Sequence, residues 1–460
     1  MSTGPQDSDL PHGDAAAPTG SDAAAEPTDR TGLVEEPAPA PIEKPAPIEK
    51  PALVEPAERI EEPAPVVPVR TAPRDGVPAL TARSSALAEL AAAVAAGSGP
   101  VALDAERASG FRYSQRAYLV QLRRDGAGSA LVDPVPLPDL TVLDDAIGDA
   151  EWVLHAANQD LACLAALGLR PRSLFDTELA GRLLGLPRVG LAAMTASLLG
   201  IGLRKEHSAA DWSTRPLPAD WLVYAALDVE LLLEMREVLV DRLDAAGKLD
   251  WARQEFAAVL AAPPPPPRDE PWRRVSGLHQ LRRPRELAAA RELWRARDTI
   301  AAARDIAPGR ILPDRAVVDA ARRNPTTVAE LTALPVFGGR ANRAISGTWL
   351  AALQRAAALP DAELPAMSAR GGELPPTRTW ADRDPAAAQR FGAARAAMLA
   401  AAAERELPVE NLLSPDLVRR LTWAPPAEHG EVDVERWLDA QGARRWQVEI
   451  TAPLLAAAVA

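Results

Sequence analysis

The sequence predicts an α/β domain on a mixed central sheet, preceded by a disordered tail and followed by two small all-helical units. Three observations carry this. Residues 1–77 are dominated by Pro, Ala and Glu, include a tandem PAPIEK at 39–44 and 45–50, and show neither helical nor strand periodicity. Such a composition does not bury enough apolar surface to offset chain entropy. Residues 78–262 begin as short apolar strands and then alternate strand with helix. Beyond the proline run at 263–267, within a linker over 263–269, the pattern is helical. A Pro/Gly-rich break near 365–378 divides it into units at 270–362 and 378–460.

The elements follow in order. LTARSSALAELAAAVAAG predicts a helix over 80–97. VALDAE (101–106), AYLVQLRR (117–124) and SALVDPV (129–135) read as three strands of a meander. A helix near 137–148 leads to a strand at 151–156. Helices then follow over 158–168, 176–185 and 191–200, with one long helix across 218–247.

Composition excludes several classes. A single cysteine, Cys163, rules out an intramolecular disulfide and a cysteine-based zinc site. Five scattered histidines argue against a histidine-rich metal site. No early apolar core of a signal peptide and no run of 18 apolar residues is present, so a cytoplasmic protein without a membrane span is expected. The net charge of −12 is unevenly spread: residues 1–75 carry 15 acids and 6 bases, whereas 268–343 carry 16 bases and 9 acids. The second segment is basic enough to grip a phosphate backbone, although a solvated face of charge pairs would have the same composition.

Four acids stand out. Asp104 and Glu106 are spaced i, i+2 on an apolar strand and therefore point to one face. An edge strand whose polar face meets water would carry such a pair; a buried strand would need a cation to offset the repulsion. Asp160 opens a helix after a strand, where a first-turn acid also suits the helix dipole, with Asn158 as a candidate N-cap. Asp228 follows Tyr224 by one turn on a strongly apolar helix, where an acid needs a partner. Four carboxylates converging at a sheet would suit two divalent cations, which prefer oxygen ligands.

DAE at 104–106, the Asp of HAANQD at 160 and YAALD at 224–228 resemble the three exonuclease motifs of the DEDD superfamily, in its tyrosine-bearing branch. KEHSAADWSTRPL, 205–217, is similar to a segment of ribonuclease D. WRRVSGLHQLRRPRELAAARELWRARDTIA, from 272, resembles the start of an HRDC domain, and ERELPVENLLSPDLVRRLTW resembles a second HRDC-like unit more loosely.

The resemblance implies a ribonuclease H-like exonuclease fold and a 3′→5′ exoribonuclease that releases nucleoside 5′-monophosphates. It implies Mg²⁺ or Mn²⁺ held as two ions by Asp104, Glu106, Asp160 and Asp228, with Tyr224 orienting the attacking water. Precursor tRNA is the implied RNA partner, and a monomer is expected. A DNA exonuclease and an inactive nucleic-acid-binding adaptor remain the alternatives.

Among the remaining residues, His155 and Gln159 are candidates to touch the terminal nucleotide, and Lys205 and Arg215 to contact phosphate. Asp211 is an extra acid with Arg215 as a possible partner, and Trp212 reads as a plug in the core. Phe111 and Tyr113 suit either base stacking or a structural role. Arg282 and Arg283 lead the arginine cluster expected to hold RNA.

Overall fold

The computed structural model describes residues 67–203, 207, 209–264, 266–368 and 374–460. All of them lie in one compact unit, 65–460. The PAPIEK repeats and most of the expected tail lie outside the described residues.

Eight strands are present among these: β1 (Val69–Arg70), β2 (Leu80–Thr81), β3 (Ser98–Arg107), β4 (Ala117–Asp125), β5 (Gly128–Val132), β6 (Trp152–Leu154), β7 (Leu174–Asp176) and β8 (Gly202–Leu203). The six-stranded sheet runs β2-β5-β4-β3-β6-β7. β3, β4 and β5 form the antiparallel meander, while β2, β6 and β7 join in parallel, which gives the expected mixed sheet. β1 and β8 make a separate parallel pair. β1, β2, β7 and β8 span two or three residues each, too few for alternation to be seen in sequence. Residues 80–81 are therefore strand, and the helix read from 80 begins at Ser84.

The predicted long helix is two. Ala219–Glu230 and Leu232–Ala245 meet at Leu231, which leaves helical geometry at φ −101° and ψ 0°. A straight helix across 218–247 would be about 45 Å long and could follow only one direction across the sheet. The break lets the first half cover the β3–β5 face, while the second half packs on β3 and β6. Likewise, the helix over 191–200 is α-helical only to Met194 and continues as a π-helical turn over Thr195–Leu199.

Two large cores follow from this chain path. Residues Trp272 to Leu353 and beyond bury their own cluster, centred on Leu287, Val317, Phe337 and Trp349. The last helices instead share a core with the exonuclease-like part, so Met398, Leu421 and Trp446 join Leu183, Leu239 and Phe256. Trp446 stacks on Trp251 with centroids 4.6 Å apart, and its indole N–H donates to Glu255 at 3.0 Å. Arg444 grips the same carboxylate at 2.6 and 2.8 Å. Buried Lys248 donates to the carbonyls of Leu183 (2.8 Å) and Arg405 (2.6 Å). Gly185, at φ +69°, sits so close that an added Cβ would lie 2.0 Å from the Glu406 carbonyl oxygen. No helix among the described residues is long and apolar enough to cross a membrane.

This shared core predicts joint unfolding. Trp446→Ala should cost about 3–5 kcal/mol in urea denaturation and lower the main calorimetric transition. Separate melting of a C-terminal unit, with that transition unmoved, would contradict the shared core.

Candidate active site

The site starts with β3. Asp104 faces Gln121 across the β3–β4 ladder and Glu106 faces Leu119. Leu119 packs in the small cluster with Leu131, Trp212, Ala225 and Ala226, so both acids stand on the face that the Ala219–Glu230 helix covers. They are on a central strand, which removes the edge-strand alternative. That helix brings Asp228 to the same place. Ligand oxygens of Asp104, Glu106 and Asp228 all lie within 4.8 Å of one another. Beyond Glu106 the pairing skips Tyr118, a bulge after which Arg107 lines the same cleft.

Asp160 enters from the other side. It stands at the N-cap position of Leu161–Ala165, but its side chain makes no cap bond, and Asn158 is exposed. Its carboxylate is 3.6 Å from the Arg107 guanidinium. The loop that delivers it is held by buried Asp176, which accepts from the backbone N–H of Ala156 (3.1 Å), Ala157 (2.8 Å), Glu178 (2.9 Å) and Leu179 (3.1 Å). These bonds stabilise Ala156 in a left-handed conformation, φ 60°, that a residue with a Cβ rarely adopts.

Asp104, Glu106, Asp160, Asp228, Tyr224, His155 and Gln159 line one cleft of about 720 Å³. Burial is the first cause of every large shift there. It raises Asp104, against the pull of the Ala105 N–H and of Arg107. It raises Asp228 well above the carboxylate range, assisted by the charge of Asp104. Burial, then the neighbouring acids, push Glu106 up to about 10 and Asp160 to about 8. The Tyr224 hydroxyl, hydrogen-bonded to Asp228, is pushed further up by burial and by the carboxylates. A phenol in that setting keeps its proton, which suits orientation rather than proton abstraction.

The donor set is all carboxylate oxygen, with Arg107 the main counter-charge. Hard divalent cations take such oxygens, so the residues fit a site of that kind.

His155 is held below its usual range by burial. Its Nδ1 is 2.9 Å from Thr177 Oγ1, whose hydroxyl donates to the Leu154 carbonyl at 3.2 Å. With that proton committed, Nδ1–H donates to Thr177 and Nε2 is left as an acceptor.

Other expected contacts are placed differently. Arg215 is not available to phosphate: its guanidinium donates to Asp133 (2.7 and 2.8 Å) and to the carbonyls of Trp212 (2.7 Å), Thr214 (2.8 Å) and Tyr118 (2.7 Å). All five N–H donors are thereby used. Asp211 bonds Ser213 instead of Arg215. Trp212 is buried, 5.1 Å from Trp221. Lys205 lies outside the described residues. Arg283 pairs with Glu286 at 2.8 Å, while exposed Arg282 has no side-chain partner among the described residues. Arg285, Arg295 and Arg297 are also tied internally, at 2.6, 2.7 and 2.6 Å. Half of the sixteen bases in the segment are thus held in ion pairs, and Arg268, Arg274, Arg304, Arg315, Arg340 and Arg343 stay exposed like Arg282. Phe111 and Tyr113 serve domain contact: Arg310 lies 3.9 Å over the Phe111 ring, and Tyr113 donates to Asp298 at 3.2 Å.

Sequence reasoning missed Gln121, Arg107, Asp176 and His207. Buried Gln121 donates to Asp104 at 3.4 Å, and the His207 ring stands edge-on to Tyr224 at 5.9 Å. Arg107 adjoins the DAE stretch and His207 lies within KEHSAADWSTRPL, so both carried a local signal; Gln121 and Asp176 depend on folding.

Three comparisons bear on this geometry. A family model described as 3′-5′ exonuclease matches residues 80–244, one described as HRDC domain matches 286–353, and one described as 3′ to 5′ exonuclease C-terminal domain matches 373–459, the unit expected to be HRDC-like. The chain is 33% identical over 273 residues to ribonuclease D of Gluconacetobacter diazotrophicus, covering 58% of this chain and 68% of that one. It superposes on a Bifidobacterium adolescentis protein with a TM-score of 0.78 and 38% identity, over 85% of this chain and 99% of that one. Escherichia coli RNase D, an exoribonuclease involved in structured RNA processing, gives a TM-score of 0.60 and 27% identity, over 83% and 98%.

The raised carboxylates make metal-free stability depend on pH. Unfolded acids titrate near pH 4, whereas folded Asp160 and Glu106 do so near 8 and 10. Their contribution is full below about pH 4 and lost as pH rises towards those folded values. The metal-free thermal midpoint should therefore fall between about pH 5 and about pH 8, and Mn²⁺ should restore it. Asp228→Asn should raise the metal-free midpoint at the higher pH and abolish the Mn²⁺ response. A flat pH profile with no Mn²⁺ response would refute this electrostatic account.

Proposed function

Given that the chain belongs to the ribonuclease D family and is a 3′→5′ exoribonuclease, we propose how its own residues carry the reaction. The reading rests above all on the convergence of Asp104, Glu106 and Asp228 oxygens within 4.8 Å. Asp104, Glu106 and Asp228 would hold one divalent ion, and Asp104 with Asp160 would hold a second, Mg²⁺ or Mn²⁺. Such a pair, when bound, acidifies water and stabilises charge on the attacking and leaving oxygens of a phosphodiester.

The protein side of the work is positioning. Tyr224 donates its hydroxyl hydrogen bond to Asp228 and, with substrate present, orients the attacking water. Gln121 fixes the rotamer of Asp104 from the neighbouring strand. Arg107 balances Asp160 and lines the cleft, so its guanidinium is the group that would meet a phosphate oxygen. Gln159 and His155 line the cleft for the terminal nucleotide. The products are nucleoside 5′-monophosphates, released one at a time.

For the substrate we propose precursor tRNA with a 3′ extension. The HRDC part contacts the cleft rim, since Arg310 donates to the Gly110 carbonyl at 2.8 Å and Gly110 lines the cleft. RNA held by that part would present its end to the site. With half of the segment's arginines paired, the grip comes from the exposed ones outside those pairs, such as Arg282, Arg304 and Arg315, rather than from the whole basic segment.

A denaturing-gel time course with 3′-extended tRNA and matched single-stranded DNA tests the reading. RNA should shorten from its 3′ end with Mg²⁺ or Mn²⁺ and not with EDTA, with DNA attacked weakly. Asp104→Ala should lose about 10³-fold or more of the rate, and Tyr224→Phe about 10–100-fold with little change in KM. Equal attack on DNA would move the preference to DNA. RNA binding without shortening would mean that the carboxylates form no working site.

A further inference from the structure

Residues 67–76 fall in the stretch whose composition predicts a tail, yet they form a strap behind the cleft. On one side, Val69 and Arg70 pair with Gly202 and Leu203, and Gly202 N–H donates to the Pro68 carbonyl at 2.9 Å. Leu203 lines the cleft. On the other side, Arg70 pairs with Glu230 at 2.6 Å. The Arg74 backbone N–H donates to both oxygens of that carboxylate at 3.2 Å, while its guanidinium lies 3.6 Å from Glu230 and 2.6 Å from Glu234.

The Glu230 side chain is only 1% exposed and ends the Ala219–Glu230 helix, two residues beyond Asp228. A carboxylate buried that far needs its partners; without them it reaches for water. At the Leu231 break, the readiest way to do so is to unwind the last turn, which carries Asp228. Shifts of about an ångström at such a group are enough to disable a site.

We propose that the 67–76 strap is a positioning element of the cleft: Arg70 and Arg74 clamp Glu230 so that Asp228 stays aligned with Asp104 and Glu106, and β1 braces the Leu203 wall. This rests on the reading of those carboxylates as a metal site. The strap touches no reacting atom, so its effect should appear in metal affinity before it appears in the rate at saturating metal.

The test uses the full chain with Arg70→Ala/Arg74→Ala, Arg74→Ala alone and the conservative Arg70→Lys. Mn²⁺ binding by calorimetry is measured beside the Mn²⁺ dependence of RNA shortening and the thermal midpoint. The double variant should bind Mn²⁺ about tenfold more weakly, the lower end of the effect of losing an outer-sphere partner. The Mn²⁺ needed for half-maximal shortening should rise by the same factor, with the saturated rate within about twofold, and Arg70→Lys should stay near wild type. If the double variant does not fold, Arg74→Ala carries the test with a shift of about threefold, because Arg74 is half exposed. A folded variant with wild-type Mn²⁺ affinity overturns the proposal, even if its midpoint falls. If the wild type binds Mn²⁺ but shortens no RNA, the account of its activity fails, and the binding shift alone still decides the strap. A wild type that binds no Mn²⁺ removes the metal site and the strap's role together.

Discussion

Asp104, Glu106, Asp160 and Asp228 share one cleft with Arg107 as the one guanidinium lining it among the described residues, and the surrounding structure answers that constraint. Each acid is withdrawn from water; Asp104 raises the proton affinity of the other three, and Asp160 and Asp228 raise that of Glu106 as well. Packing alone does not hold such a group together, because desolvation and repulsion both favour opening it. The fold resists by fixing the acids on rigid and separately anchored elements. Asp104 and Glu106 belong to a central strand, Asp228 to a helix pressed on that sheet, and Asp160 to a loop cross-braced by Asp176. The strain remains available as affinity for a hard cation, which is the usual logic of a preorganised site.

The same cleft shows why the tyrosine is a poor base. Its hydroxyl faces the carboxylates that raise its proton affinity, so its geometry matters more than its acidity. His155 is similarly held neutral by burial, with Thr177 fixing its Nδ1. Both side chains arrive with their hydrogen-bonding roles already set, which limits reorganisation when a nucleotide binds.

Outside the cleft, arginine is mostly structural. Arg215 ties the loop after Trp212 to Asp133 and the Tyr118 carbonyl, Arg444 joins the C-terminal helices to Glu255, and Arg297 is buried against Asp314. With four Lys against 47 Arg, the guanidinium fork is the cation available for clamping carboxylates and carbonyls. Counting bases along a segment therefore overstates what is free to meet phosphate. The two helical parts also differ in kind: one closes its own core and touches the cleft rim through Phe111 and Gly110, while the other completes the core of the catalytic part.

The order of motifs was legible because it depends on local spacing. Two acids at i, i+2 on an apolar strand share a face, and Tyr224 and Asp228 at i, i+4 share a helix side, whatever the rest of the chain does. The meander, the mixed sheet and the helical C-terminal half were readable for the same reason, since periodicity is a property of a short window. What required the tertiary structure is long-range. The break at Leu231, the short strands β1 and β8, the five bonds of Arg215 and the contact of Gln121 with Asp104 join residues that no local pattern links. Composition placed residues 67–76 in a tail, but a buried Glu230 some 156 to 160 residues later gives Arg70 and Arg74 a reason to fold back. Sequence spacing determines which way a side chain points along its own element; only the assembled core decides which buried charge it must meet.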